Sequence, residues 1–592
     1  MTESQGGQGR LAQVIATRGG LAPPEAPFVI EHREALYYML CEASELEHGI
    51  MCQYLYAAFS LKQSETEGLT ADETEAVVRW RKQISHVATQ EMLHLALVQN
   101  LLSAIGGAPH LSRPNFPHPA THYPAGVHLA LLPFGEPALQ HFMFLERPEG
   151  MDLNDAEGMA AFGRAAPAMQ QGEIVPRSQD FKTVGHLYRS VEAGVAHLAD
   201  KLGERWLFIG PPRAQATQEY FGWPELVAVT DTASAQKAID EILEQGEGPR
   251  GHWRNAHFGQ FVEILDEYLQ LRDANPAFDP VRPVVTVNVR PSERDTGVPL
   301  VTDPLTSQVM DLFNVSYEVL LLMLQRFFAH TEETDAQLKA LADATVNLMF
   351  GAIKPLGDLV TTLPAGPDYP GRTAGPSFEL FYESDALLPH REAAWIMLTE
   401  RIRQAAAFCE PGVPCDPSIA GSLETVRSSL NDIAAALEAH MPARDIHLAE
   451  QDQAPAEVPA SVLSRAEDFY RTGTGSSVRD HPAQPALTAL LTPAYQAVQA
   501  ATADPRTVTR LVESVLRPLS EALTQPPATP VTPTTPATPV IPATPLATST
   551  PPAPSASSTP EAASAPAASL WDLATAATTL RVRLGTDAPP GL

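Results

Sequence analysis

A chain of 592 residues is long enough for two to four domains. Its hydrophobic fraction of 44% is ordinary for a globular protein, whereas its 55 prolines, gathered toward the C-terminal end, are not. A net charge of −30, from 70 acidic and 40 basic residues, argues against nucleic acid or anionic membrane as a partner and predicts a soluble, self-repelling surface. Cys41, Cys52, Cys409 and Cys415 are too few for a disulfide framework and suit a reducing compartment, although Cys409 and Cys415 flank a Pro-Gly loop and could pair. The opening Met-Thr-Glu-Ser-Gln-Gly-Gly lacks a charged-then-apolar signal. The longest apolar run, Val319 to Leu324, is too short to cross a bilayer, so the expected location is the cytoplasm.

Residues 1–30 are punctuated by Gly and Pro and read as a loose arm. From Glu31 to about Lys62 a helical stripe of Leu36, Leu40, Ala43, Ile50, Met51, Tyr54, Ala58 and Leu61 takes in Glu47, while Glu45 and His48 fall to one side. Tyr54 lies two turns beyond Glu47 on the same face. A buried tyrosine there is usually core with a bonded hydroxyl, and beside a redox metal it could also relay protons or electrons.

After a polar linker, a second helix carries Ile84, Val87, Ala88, Leu95, Val98, Leu101, Leu102 and Ile105 on one stripe and ends at Gly106-Gly107. Glu91 and His94 lie inside that stripe, one turn apart, so both aim at the core. A carboxylate there needs a partner or a metal ion. Glu-x-x-His on an inward face is half of the dimetal site of four-helix bundles. Chance alone supplies about one such motif in a chain of this size, and Glu45-x-x-His48 is a second match. The inward position of Glu91 and His94 is what separates the two. The short connection predicts antiparallel packing of these helices.

Residues 109–176, with many prolines and His110, His118, His122, His128 and His141, are too long for a bundle turn and read as a lid over one end. The spacing of those histidines favours hydrogen-bonding roles over metal ligation. Phe181 to Leu202 forms a third bundle helix with Tyr188 on its stripe and Glu192 at the border, a candidate third carboxylate that is as often solvent-facing. Residues 233–246 form another helix, ending in Gln245-Gly-Glu-Gly248, and Trp253 to Leu271 follows with His257 on its inward side. Arg254 stands where a second Glu-x-x-His would need a glutamate, and Glu247 is the nearest substitute.

Residues 281–300 are an extended, β-branched connector. A second helical domain, 301–442, has helices over Met310–Phe328, Gln337–Leu363, Arg391–Phe408 and Ser422–Met441, and it serves packing or dimerisation. Residues 443–524 are weakly helical. Residues 525–568 are Pro/Thr/Ala-rich, cannot bury a core, and predict a disordered tether on the order of 100 Å long. The terminal 569–592, with Trp571, is a docking peptide for a partner or compartment shell, or a frayed tail.

Several blocks together resemble one family. Glu34-Ala-Leu-Tyr-Tyr-Met-Leu40, Leu46-Glu-His48 with Tyr54, Gln90-Glu-Met-Leu-His94, Leu101 to Pro109, Gln245-Gly-Glu-Gly248 and His257-Phe258 are similar to the ferritin-like domain of the iminophenyl-pyruvate dimer synthase family. The likeness covers roughly 30–275, with a weaker echo over 305–410. It implies a mainly α fold, a ferritin-like four-helix bundle over 31–280. It further implies Glu47, Glu91 and His94 as ligands of one metal, with Glu192, Glu247 and His257 as candidates for the other. Oxygen and imidazole donors suit Fe or Mn. Longer relatives that carry out oxidative chemistry leave haem open as another cofactor.

The expected function is therefore a non-haem dimetal oxidoreductase using O2 or peroxide on a small, amino-acid-derived metabolite, with Tyr54 and Tyr188 as relay groups. The alternatives are a ferroxidase or catalase-like protein without organic substrate, and a non-catalytic cargo or scaffold protein. The expected partners are a small-molecule substrate, a second copy in a homodimer, and whatever the tail docks on.

Overall fold

Helix α1, Arg33–Ser60, is buried along most of its length: 20 of its 28 residues are inside. A helix buried on so many sides is covered by neighbours on more than one face, and the polar groups among its buried residues, Glu47, His48 and Gln53, have to find partners there. The computed structural model describes residues 25–28, 30–118, 128–151, 153, 155–156, 181, 183–248, 252–291, 297–329, 332–381, 390–410 and 419–442. The chain divides into two compact units, 1–443 and 444–592, and the described residues all belong to the first. Most of the N-terminal arm, the lid stretches 119–127 and 157–180 with His122, Cys415, the extension 443–524, the tether 525–568 and the terminal 569–592 lie outside the described residues.

The second helix, α2, spans Ala71–Ala104 and starts at a capping box, in which Thr70 accepts from the Glu73 N–H and the Glu73 carboxylate reaches back to the Thr70 N–H. Arg33, at the start of α1, donates to the carbonyl of Ile105 at 2.7 Å, and Arg81, early in α2, donates to the carbonyl of Ala58 at 3.2 Å. The two helices are thus antiparallel, as their short connection predicted.

Four shorter helices complete the bundle: α3, Glu136–Leu145; α4, Val184–Leu202; α5, Thr232–Gly246; and α6, His257–Ala274. Helix α4 lies against α1 and α5, α3 against α6, and both α5 and α6 against α2. Helix α3 arises inside the segment expected to be only a lid. Its apolar run, Phe142-Met-Phe-Leu145, is buried, and Tyr54 packs on Phe142 and Phe261 with ring centroids 4.6 and 4.9 Å away.

Beyond the bundle, β1 (Val284–Val285) pairs in parallel with β2 (Thr373–Ala374). Helices α7 (Pro304–Phe328), α8 (Asp335–Leu348), α9 (Lys354–Val360), α10 (Arg391–Phe408) and α11 (Ala420–Ala439) follow. A five-residue π turn, Met349–Ile353, separates α8 from α9, so the single helix expected over Gln337–Leu363 is interrupted. One continuous core joins these helices to the bundle. No helix among the described residues is long and apolar enough to cross a membrane.

Candidate metal centre

Five side chains from four helices meet in the middle of the bundle. Glu47 comes from α1, Glu91 and His94 from α2, Glu146 from the C-cap of α3, and His257 from the first position of α6. Glu47, Glu91 and His94 are 2% exposed, His257 is 0% and Glu146 is 8%. Glu47, Glu91 and His94 offer ligand atoms within 4.8 Å of one another, and so do Glu91, Glu146 and His257. Glu91 is common to both groups.

The arrangement is close to two-fold. His94 Nδ1 lies 2.9 Å from Glu91 Oε2 and 3.5 Å from Glu47 Oε2, while His257 Nδ1 lies 2.7 Å from Glu91 Oε1 and 3.7 Å from Glu146 Oε2. The two imidazoles stack with centroids 5.5 Å apart. Tyr188 donates its hydroxyl to Glu47, and Tyr54 donates its own to Glu146. On the far side of each ring, His94 Nε2 faces the Gln245 amide oxygen at 3.1 Å and His257 Nε2 faces that of Gln90 at 3.2 Å.

Electrostatics follow from burial. Glu47 is pushed up to about 8, first by burial and then by the charge of Glu91, and Glu146 is raised for the same two reasons. Glu91 goes the other way: burial would raise it, but His257 and His94 outweigh that and hold it well below the usual carboxylate range. Burial opposes charge on both imidazoles, yet Glu91 and its neighbours prevail, lifting His257 to about 9 and His94 well above its ordinary value. Burial and the adjacent carboxylates keep Tyr54 and Tyr188 protonated, hence donors.

The residues fit a metal ion. Glu91 Oε1 and His257 Nδ1 are fully buried and make no hydrogen bond, although they lie 2.7 Å apart. Two buried donor atoms so close, without hydrogen-bond geometry between them, suit a shared ion. Three carboxylates and two imidazoles are hard to borderline donors, without thiolate. A Glu from each of two helices plus one Glu-x-x-His repeats the dimetal pattern of bundles with a single glutamate missing.

That absence has a local cause. His257 opens α6, and Arg254 lies in a 3-10 turn before it, exposed to solvent, so no glutamate at that position would sit on the helical face. Two expected ligands stand elsewhere. Glu192 falls just past the edge of the buried stripe of α4 and accepts from Gln236 Nε2 at 2.8 Å, in neither group. Glu247 is taken up by Arg189 Nη1 at 2.8 Å and by the Glu149 N–H at 2.8 Å. Glu146 stands with Glu91 and His257 in the second group in their place. Its signal in the sequence is the apolar run Phe142–Leu145, which ends on a carboxylate one turn after Phe142.

Other side chains singled out in the sequence stand apart from this centre. Glu45 pairs with His110 at 2.8 Å, and His48 faces Tyr317, so the rival Glu-x-x-His points away. His141 bonds Asp155 at 2.8 Å and Gln53 at 2.9 Å. A narrow cleft open to solvent reaches the centre between Glu47, Glu91, His94, Glu146 and Tyr188, with Arg147 and Glu247 also on its walls. Gly185 forms one wall. A Cβ there would lie 2.6 Å from the Glu247 carboxylate, so the α4 backbone can approach only without one.

Residues 40–266 match the family model described as Ferritin-like. Among curated proteins the chain is similar to dichlorochromopyrrolate synthase of Lentzea aerocolonigenes, 28% identical over 64% of this chain and 39% of that protein. It is also similar to 2-imino-3-(indol-3-yl)propanoate dimerase of Chromobacterium violaceum, 26% identical over 66% of this chain and 38% of that protein. Both are named as enzymes, and the chain spans about two fifths of the length of each. Among solved structures, a ferritin-like protein from Caulobacter vibrioides is 18% identical with a TM-score of 0.34, over 53% of this chain and 96% of that one.

Proposed function

We propose that the chain is a non-haem dimetal oxidoreductase that uses O2 or peroxide on a small amino-acid-derived metabolite. The observation carrying this reading is the convergence of Glu47, Glu91, His94, Glu146 and His257 on two points that share Glu91. Glu47, Glu91 and His94 would hold one ion, and Glu91, Glu146 and His257 the other. The donor set favours Fe or Mn. Such ions, when bound, would supply electrons and Lewis acidity to an oxidant entering by the cleft.

The chain's own residues have separable roles in this scheme. Tyr188 and Tyr54 hold hydrogens against the outer oxygens of Glu47 and Glu146, fixing each carboxylate and keeping a proton within one bond of the centre. Phe142 and Phe261 pack around Tyr54 and exclude water from that side. The substrate class we propose is taken from the name of the dimerase relative: an indolyl 2-imino acid or a close analogue, entering along the wall formed by Gly185, Leu243 and Glu247. A small molecule is the partner proposed, and the acidic composition with few cysteines supports a cytoplasmic setting.

Elemental analysis of the purified protein, beside a Glu91→Ala/His94→Ala variant, tests the reading. The expected result is close to two Fe or Mn per chain, lost in the variant. No stoichiometric metal after anaerobic reconstitution would overturn it. Many irons per chain in a hollow oligomer would favour iron storage instead, a reading to which the acidic cleft walls Glu47, Glu146 and Glu247 lend some support as a cation path.

A further inference from the structure

We infer that Gln245 and Gln90 are positioning residues that fix which ring nitrogen of His94 and of His257 faces the centre. This rests on the dimetal reading above. A neutral imidazole carries one N–H and one lone pair, and only the lone pair can bind a metal. Both rings aim Nδ1 at Glu91, at 2.9 and 2.7 Å. Each Nε2 faces an amide oxygen, at 3.1 Å for Gln245 and 3.2 Å for Gln90. An amide oxygen only accepts, so each Nε2 has to carry the hydrogen and each Nδ1 is left with its lone pair inward.

The orientation of Gln245 is set independently. Its NH2 donates to Glu241, one turn earlier on α5, which leaves the oxygen as the end presented to His94. A carboxylate thus acts on His94 through an amide, in the order Glu241, Gln245, His94, Glu91. The second half is wired differently. Gln90 is the residue before Glu91, so α2 grips the His257 ring at both nitrogens with consecutive side chains. Using amides rather than carboxylates as outer partners adds no negative charge to the buried site, and leaves the imidazoles less basic than a carboxylate partner would.

Cobalt(II) is a suitable probe, since its visible absorption reports binding and its proton spectrum reports exchangeable ring N–H groups beside the ion. The full-length wild type should show two hyperfine-shifted, solvent-exchangeable signals. The shape-matched Gln245→Met should lose one signal and Gln90→Met the other, each with cobalt affinity roughly 10–100-fold weaker. Gln245→Glu and Gln90→Glu restore an acceptor, and should keep both signals and bind at least as tightly as wild type. Should a methionine variant fail to fold, Glu241→Leu, which frees the Gln245 amide without touching a ring, should broaden the His94 signal alone. Wild-type affinity with both signals intact in the methionine variants would overturn the inference, as would equal impairment of the methionine and glutamate variants. Failure of the wild type to bind stoichiometric cobalt would instead remove the dimetal reading, and this inference with it.

Discussion

Glu146 and Glu192 compete for one role, and a pair of substitutions separates them. Glu146 is buried against His257 and Tyr54, whereas Glu192 bonds Gln236 near the surface. Glu146→Ala should lose one metal per chain, and Glu192→Ala should leave metal content unchanged. Elemental analysis of the two variants decides between them, and the reverse outcome would restore the assignment expected from periodicity. Tyr188 supplies a second case at this scale. Tyr188→Phe removes the donor to Glu47 and leaves that buried carboxyl without its partner, at a cost of about 1–3 kcal/mol in the metal-free protein, readable as a lower denaturation midpoint. Most of the centre was legible in the sequence. Glu47, Glu91, His94, Tyr54 and Tyr188 sit on 3.6-residue stripes of long helices, where periodicity fixes direction. Glu146 was not, because a ten-residue helix followed by a carboxylate at its cap carries too little periodic signal.

At the scale of elements, long amphipathic segments again read well, and the departures lie where backbone geometry changes within a helical pattern. The π turn at Met349–Ile353 leaves the apolar composition intact, so nothing in the pattern marks the break between α8 and α9. The break nevertheless sets how α9 meets the bundle. Gly357, on α9, faces Phe59 of α1, and a Cβ there would fall 2.7 Å from the phenyl ring. Gly357→Ala therefore forces the ring or the helix to move, at a cost of about 1–3 kcal/mol. Since a continuous core joins α7–α11 to the bundle, the loss should appear as a shifted single transition in far-UV circular dichroism. Two separated transitions would show that the helical blocks unfold independently and that this contact carries little.

For the whole molecule, the metal-free centre imposes a pH dependence whose sign can be worked out group by group. His257 rises from an ordinary 6.5 to about 9, so its contribution is full below 6.5 and is lost as the pH climbs toward 9, and His94 shifts in the same direction. Glu47 rises from 4.5 to about 8, so between those values the folded chain holds a proton that the unfolded chain has released, and stability again falls with rising pH. Glu146 shifts the same way. Glu91 is held low and acts in the opposite sense, but only below about 4.5, where the unfolded carboxylate takes up its proton. His48 and His128 are held below their ordinary 6.5 by burial and act in the opposite sense, but only below that value; from pH 6.5 to pH 9 the four raised groups act with one sign, and the melting temperature of the metal-free protein should fall. Bound metal displaces those protons, so its affinity should rise with pH and the loaded protein should melt with a shallower slope. The gap between loaded and metal-free melting temperatures should then widen from pH 6 to pH 9. The acidic surface could tilt both curves together, which makes the Glu91→Ala/His94→Ala variant the decisive comparison. With the field of Glu91 gone, His257 keeps only Glu146 to lift it and His94 is absent, and the slope should flatten. A metal-free slope as steep in that variant as in wild type would place its origin on the surface, away from the five-residue centre.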